Sequence, residues 1–282
     1  MTYLLIISLI LILLLVSGII LFKPVNNIYN NTNLNNDVNK LLTNGYLIIP
    51  NVVSHKDCDE ILNIISETEK TENVCGPIHS NVNRKDMMLP VDNMKKYIKD
   101  IYKKTKHIWN KVTPDPILSE CSSLISYPGS YPQIWHTDTF YKKGDSNLVS
   151  IGVALQDIDK KMGPLHVYKN SVKIYKNNKK YEKKYGKNFK SVDVDDDKQG
   201  LYPQLISKIC RKLNFKKVQC VSKKGDIIIW LSSIVHRGSS NISAKTRSVF
   251  YFSLLGNDGT KPGGATYSLL EDNKKIYVNN IV

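Results

Sequence analysis

From residue 119 onward, apolar positions come in short runs separated by Gly, Pro, Asn and Asp. The runs are Leu124 to Tyr127, Gln133 to Thr139, Val149 to Leu155, Leu165 to Tyr168, Lys217 to Val221, Asp226 to Leu231 and Arg247 to Leu255. Runs of this length, bounded by turn residues, predict strands. Many short strands in succession predict a mainly β fold with flanking helices and a double-stranded β-helix (jelly-roll, cupin-like) core.

The pattern differs upstream. Asn44-Gly45 is a turn signal before a short strand, Tyr46 to Ile49, which Pro50 ends. Ser54 is placed to cap a helix whose apolar face holds Cys58, Ile61, Leu62, Ile64 and Ile65. A second amphipathic helix is predicted from Asp92 to Val112, ended by Pro114 and Pro116. His107 falls in this helical pattern and reads as a packed or surface residue.

Tyr3 to Phe22 is almost wholly apolar. Twenty helical residues span about 30 Å, the thickness of a bilayer's hydrocarbon core. The segment lacks a basic leader and a small-residue cleavage site, which favours an uncleaved, single-pass N-terminal transmembrane anchor over a signal peptide. Residues 3–22 are thus read as the anchor, 23–40 as an Asn-rich flexible linker, and 41–282 as the catalytic domain. Lys23 favours a cytosolic domain. Asn30-Asn31-Thr32 and Asn241-Ile242-Ser243 fit glycan acceptors and favour a lumenal one. The side of the membrane stays open.

Residues 173–215 interrupt the β pattern. A Lys-rich stretch with Tyr175, Tyr181 and Tyr185 leads into the acidic run Asp193, Asp195, Asp196, Asp197, and a helix is predicted from Pro203 to Leu213. The segment reads as a solvated insertion, or as a lid beside the chemistry.

Charge changes this picture little. The net charge is +15, but only four of the 40 basic residues are Arg, and Asn occurs 27 times. Lys and Asn enrichment with so few Arg reads as coding bias on a solvated surface. Single-stranded nucleic-acid binding by the basic 173–190 stretch is the competing reading, and the scarcity of Arg disfavours it. The five cysteines, at 58, 75, 121, 210 and 220, form no Cys-x-x-Cys, so zinc-knuckle and redox motifs are not supported.

The candidate chemistry is concentrated in two runs. His136 and Asp138 are two apart on an expected strand, so their side chains share a face. His236 lies 100 residues beyond His136, behind the apolar run Ile227 to Trp230. Two His and one carboxylate with open positions suit a mononuclear non-haem Fe(II) centre. Arg247 follows His236 by 11 residues.

Four stretches carry a resemblance. They are 44–54 (Asn-Gly-Tyr-Leu-Ile-Ile-Pro-Asn-Val-Val-Ser), Tyr127-Pro128-Gly129-Ser130 with Gln133 to Thr139, Gly163-Pro164-Leu165, and His236-Arg237-Gly238 with Asn241 and Arg247. Together they resemble the Fe(II)/2-oxoglutarate-dependent dioxygenases, and within them the phytanoyl-CoA dioxygenase-like family. The resemblance covers residues 41–255 and departs after Leu165, where Tyr168-Lys169-Asn170-Ser171-Val172 replaces a common Pro-Gly-Ser-His run. It implies that His136, Asp138 and His236 bind Fe(II) and act in catalysis. Arg247 would hold the co-substrate 2-oxoglutarate as a planar fork, with Ser126 and Gln133 beside it. O2 would fill the remaining position, and ascorbate would support the iron. Asp138 favours hydroxylation over halogenation, because related halogenases carry a small residue there. The expected substrate is a lipid-linked or other small molecule. A protein side chain (prolyl or lysyl hydroxylation) and a catalytically silent, tethered binding module remain alternatives.

Overall fold

The alternation of Arg247–Leu255 is realised as a central strand of the fold. The structure is a computed structural model and describes residues 31–71, 82–138, 148–176, 201–256 and 276–278. The anchor segment 3–22 lies outside these. Among the described residues, no helix is long and apolar enough to cross a membrane. Two units are distinguished, Met1–Asn35 and Asn36–Val282. Of the first, only the start of one helix is described, and everything below concerns the second.

The helices are α1 (Asn31–Asn44), α2 (His55–Lys70), α3 (Val91–Lys104), α4 (Lys106–Val112), α5 (Val172–Lys176) and α6 (Leu201–Lys212). The strands are β1 (Tyr46–Ile49), β2 (Arg84–Met88), β3 (Ile117–Ser126), β4 (Leu148–Ala154), β5 (Leu165–Tyr168), β6 (Lys217–Cys220), β7 (Ile227–Leu231), β8 (His236–Gly238), β9 (Arg247–Leu255) and β10 (Ile276–Tyr277). The larger sheet runs β1-β7-β4-β9-β3-β10, with β2 also paired to β3. The smaller sheet runs β6-β5-β8. All of the strand pairs are antiparallel. This is the mainly β, jelly-roll type of core that the short runs predict.

The larger sheet is two-faced. One face presents Cys121, Ile125, Ile151, Val153, Ile227, Ile229, Phe250 and Phe252 to α2 and α3, which answer with Cys58, Ile61, Ile65, Met94, Ile98 and Ile101. Burying such side chains stabilises the fold by about 1.5–3 kcal/mol each. The other face is polar and turns toward the candidate site. Ser54 caps α2, its hydroxyl accepting from the Asp57 amide at 3.0 Å.

Three expectations change. First, residues 31–40 belong to α1 rather than to a flexible linker. Val38 and Leu41, three apart, share one helical face and are buried in the core. Gly45, at φ 86°, stops the helix and returns its amide to the Leu41 carbonyl at 2.8 Å. Secondly, the single helix 92–112 is two, broken at Thr105. The Thr105 hydroxyl donates to the Ile101 carbonyl at 2.6 Å and accepts the Trp109 indole at 2.7 Å, a back-bond that bends helices. Thirdly, residues 133–138 are extended but are not a ladder strand: a single bridge, His136 to His236, joins them to the smaller sheet.

The ends of the 173–215 insertion are helical. α6 buries Ile206, Ile209 and Cys210 against Tyr168, Ile174 and Val235. Residues 177–200, including the acidic run and most of the expected lid, lie outside the described residues. Asn241 is fully buried, and its amide donates to the Ser126 and Lys245 carbonyls at 2.9 and 2.8 Å. It is therefore no glycan acceptor in the folded chain. Cys58, Cys121, Cys210 and Cys220 are buried free thiols, and Cys75 lies outside the described residues.

Candidate active site

His236 opens β8, which β5 holds in register through Val167. His136 sits in the extended loop and exchanges two backbone hydrogen bonds with His236, at 3.0 and 2.9 Å. The Asp138 amide donates to the Ser232 carbonyl at 2.9 Å and pins the loop beyond. Two residues remote in sequence are thereby fixed side by side by main-chain bonds alone.

The three side chains converge. Asp138 Oδ1 lies 3.3 Å from His236 Nε2 and 3.8 Å from His136 Nε2. One ligand-type atom from each of the three residues lies within 4.8 Å of the others. The second polar atom of each group is engaged elsewhere. His136 Nδ1 meets the Ile134 carbonyl at 2.8 Å, and His236 Nδ1 meets the Ile234 carbonyl at 3.0 Å. A carbonyl can only accept, so each Nδ1 carries a proton, and each Nε2 is the nitrogen turned inward, which offers a lone pair to a metal once it is deprotonated. Asp138 Oδ2 accepts from the Trp230 indole at 2.9 Å, which leaves Oδ1 facing the imidazoles. Burial raises the Asp138 pKa, but the two histidines and the indole outweigh this and hold it below the usual carboxylate range. Such supporting contacts orient metal ligands. Two imidazoles and one monodentate carboxylate fit a divalent iron with sites left open.

A second cluster lies on the polar face of the larger sheet. Arg84, Ser126 and Arg247 form one row across β2, β3 and β9. Arg247 donates through NH1 to the Gly163 carbonyl and through NH2 to the Ser126 hydroxyl, the latter at 2.9 Å. Arg84 NH2 donates to the Tyr131 and Ser239 carbonyls at 3.0 and 2.9 Å. Both arginines are buried, and among the described residues Nε of Arg247 and Nε and Nη1 of Arg84 have no hydrogen-bond partner. Burial, then Arg84's charge, lowers the Arg247 pKa to about 9. Buried charges are ordinarily paired, and two guanidiniums with no carboxylate in salt-bridge contact among the described residues suit the distal carboxylate of 2-oxoglutarate.

The expected residues do not all serve alike. Ser126 and Arg247 are together. Gln133 Oε1 instead accepts from the Gly238 amide at 2.7 Å and staples the loop to β8. Arg247 does not pair with Asp226, whose carboxylate accepts the Asn51 and Lys223 amides. Trp135 faces away from His136, packing on Tyr168 with centroids 4.4 Å apart and under the Arg237 guanidinium at 4.6 Å. Sequence reasoning missed Arg84 and Trp230. The scarcity of Arg was a usable signal for Arg84, since an Arg–Lys exchange is not neutral where a fork is needed.

Comparison with known proteins agrees with this geometry. The solved carbocyclase SnoK of nogalamycin biosynthesis, described as non-haem and α-ketoglutarate-dependent, superposes with a TM-score of 0.59 at 16% identity, over 82% of this chain and 87% of its own. The epimerase SnoN, solved with Fe3+, α-ketoglutarate and nogalamycin RO, gives 0.61 at 14% identity, over 84% and 88%. HygX from Streptomyces hygroscopicus, solved with nickel and 2-oxoglutarate, gives 0.52 at 15% identity, over 79% and 87%. No curated protein sequence matches the chain. The family model for phytanoyl-CoA dioxygenase (PhyH) matches residues 41–249, most of the chain, and includes His136, Asp138, His236, Arg84, Ser126 and Arg247. The chain therefore belongs to the phytanoyl-CoA dioxygenase family of Fe(II)/2-oxoglutarate-dependent enzymes.

Proposed function

We propose that this enzyme hydroxylates an unactivated C–H bond of a small or lipid-linked molecule, with His136, Asp138 and His236 as iron ligands and Arg247 as the anchor of 2-oxoglutarate. The observation that carries this is the convergence of two Nε2 atoms and one free carboxylate oxygen, each with its other polar atom already engaged. Bound iron would couple oxidative decarboxylation of 2-oxoglutarate by O2 to oxidation of the substrate.

The chain's own groups supply the rest. The Ile134 and Ile234 carbonyls fix the imidazole tautomers, and Trp230 holds Asp138 to one donor oxygen. Three protein ligands on one side leave the other coordination positions free. Arg247 and Arg84 attract a dianion, and the Ser126 hydroxyl orients the Arg247 fork. Asp138 favours hydroxylation over halogenation. SnoK and SnoN belong by their descriptions to nogalamycin biosynthesis, which supports a small-molecule substrate here. The apolar run 3–22 supports a membrane tether for the same enzyme. Retention of the full chain in the membrane pellet after alkaline extraction, lost on deleting residues 1–30, tests that tether.

The activity test is succinate formation from 2-oxoglutarate by the full chain with Fe(II) and ascorbate, beside His136→Ala and Arg247→Ala. Turnover by the wild type is expected. The His136 variant should lose it, and the Arg247 variant should regain it only at high 2-oxoglutarate. A chain that binds no divalent metal under anaerobic conditions would overturn the reading.

A further inference from the structure

We propose that Asp86, Glu120 and Tyr251, on the site-facing side of the larger sheet, recognise a cationic nitrogen of the substrate, so that the enzyme acts on an amine-bearing molecule. This rests on the oxygenase reading above and names the substrate class for the same site.

Register places the three residues. On the face that carries Ser126 and Arg247, the next pair toward the other end of the strands is Leu124 with Val249, with Asp86 of β2 opposite Leu124. Ser122 pairs with Tyr251 beyond it, and Glu120 pairs with Ser253 last. The Glu120 row continues across β9, β4 and β7 as Ser253, Ser150 and Trp230. Its links are Ser253 Oγ to Glu120 Oε2 at 2.9 Å and Ser253 Oγ with Ser150 Oγ at 3.1 Å. Trp230, at the end of that row, holds Asp138. The acidic groups thus share a face with the indole that touches the metal triad, and the Asp138 charge is near enough to act on Glu120.

Strand alternation aims Glu120 inward, since it keeps the parity of Ser122, Leu124 and Ser126. Leu118 pairs with Leu254 and Glu120 with Ser253, so Ser119 is an extra residue, a β-bulge. Leu118 consequently joins the apolar core on the helix side, and the polar face of β3 ends at Glu120.

The cluster is incomplete as it stands. The Tyr251 hydroxyl lies 3.0 Å from Asp86 Oδ1 and 3.1 Å from Glu120 Oε1. One phenol has one proton, so it satisfies one carboxylate at a time. Among the described residues, neither carboxylate forms a salt bridge. The Ser122 hydroxyl is fully buried and near enough to act on Tyr251, but among the described residues it makes no hydrogen bond of ordinary geometry. As residues, Asp86, Glu120 and Tyr251 are nevertheless only half-buried. Burial, then the Asp86 charge, pushes the Glu120 pKa up to about 8, and burial pushes Asp86 up to about 6. Burial leads both shifts, and at Asp86 the Arg84 charge offsets it only in part.

Charge balance selects the ligand. 2-Oxoglutarate is a dianion, and Arg84 and Arg247 can take its distal carboxylate at their end of the face. That leaves Asp86 and Glu120 without a cation in salt-bridge contact among the described residues, although the Arg84 charge is near enough to act on Asp86. An ammonium group supplies the charge and up to three donors for the two carboxylates and the neighbouring hydroxyls. A neutral polyol would supply donors but no charge.

The test uses the full chain loaded with Mn(II) and 2-oxoglutarate, with n-hexylamine, n-hexanol and hexanoate as probes. Binding is read by calorimetry at pH 8, for wild type, Glu120→Gln and Asp86→Asn. The amine is expected to bind at least tenfold tighter than the alcohol, with hexanoate weakest. Either variant should lose most of that preference while still binding Mn(II) and 2-oxoglutarate. Equal binding of amine and alcohol by the wild type would overturn the proposal without any variant having to fold. So would an undiminished preference in Glu120→Gln, or no amine binding by the loaded protein. Failure to bind Mn(II) or 2-oxoglutarate at all is a separate result and would sink the oxygenase reading itself.

Discussion

The Trp230 indole donates to Asp138 Oδ2 at 2.9 Å, and Asp138 Oδ1 faces His236 Nε2 at 3.3 Å. One hydrogen bond thus decides which oxygen meets the metal position. The indole has room because β4 carries Gly152 beside it: a Cβ there would come within 3.3 Å of the ring. Trp230→Phe keeps most of the ring and removes the donor. Metal affinity should fall about 10- to 100-fold, the usual effect of losing a contact that supports a ligand. Asp138→Ala should abolish tight binding. Anaerobic Fe(II) titration of both variants checks this, and an unchanged affinity in Trp230→Phe would remove the orienting role.

Gly238 separates the two clusters experimentally. A Cβ at this position would lie 2.5 Å from Arg84 NH1 and 2.8 Å from Gln133 Oε1. Arg84 could yield only by giving up its bonds to the Tyr131 and Ser239 carbonyls. Gly238→Ala should therefore weaken 2-oxoglutarate binding about tenfold, the scale of one charge-assisted hydrogen bond, with the metal triad intact. Calorimetric titration of the metal-loaded variant with 2-oxoglutarate is the measurement. A parallel loss of metal affinity would show that the two clusters are not separable.

Backbone constraint dominates at Gly225. Its φ is 90°, and an added Cβ would lie 2.3 Å from the Val53 carbonyl oxygen. Its own carbonyl accepts the Val52 and Val53 amides at 2.9 and 3.0 Å, tying the segment after β1 to the turn before β7. Gly225→Ala meets main chain, which cannot swing aside as a side chain can. It should destabilise the fold by more than Ser54→Ala, whose lost helix cap is worth about 1 kcal/mol. Thermal unfolding of both variants gives the order, and a milder effect at Gly225 would contradict the close approach.

Local pattern made most of the sheet legible, because strands such as β9 and β7 announce themselves by branched and aromatic runs between turn residues. The metal triad was legible too, but for a partly different reason than periodicity suggested. His136 and Asp138 converge on an extended loop held by its bonds to His236 and Ser232, not on a ladder strand. Ser126 and Arg247 lie together as the sequence led one to expect, whereas Arg84 gave no such sign, since only the β2–β3 register brings it beside them. The acidic cluster was invisible for the same cause. Asp86, Glu120 and Tyr251 come from three strands, and only the pairing register brings them onto one face. In α1, by contrast, two spaced apolar residues were masked by the surrounding Asn.

The same cluster sets a pH dependence of stability. Glu120 shifts from 4.5 to about 8 on folding, chiefly by burial and then by the Asp86 charge. The groups that face it are Asp86 from β2, Tyr251 and Ser253 from β9, and Asp138 from the loop. Between about pH 4.5 and 8 the folded chain keeps this proton while the unfolded chain has released it. A state that binds more protons loses ground as they become scarce, so this group's contribution to stability falls across that window as pH rises. Asp86, raised from 3.8 to about 6, acts in the same direction at lower pH. Glu120→Gln keeps the shape and removes the titration. Urea unfolding of the metal-free protein at pH 5 and pH 8.5 should show the wild type losing more stability than the variant between the two. Glutamine should be the more stable side chain at pH 8.5. Equal losses would mean that Glu120 is already ionised in the folded chain, with a counter-charge supplied from elsewhere in the molecule.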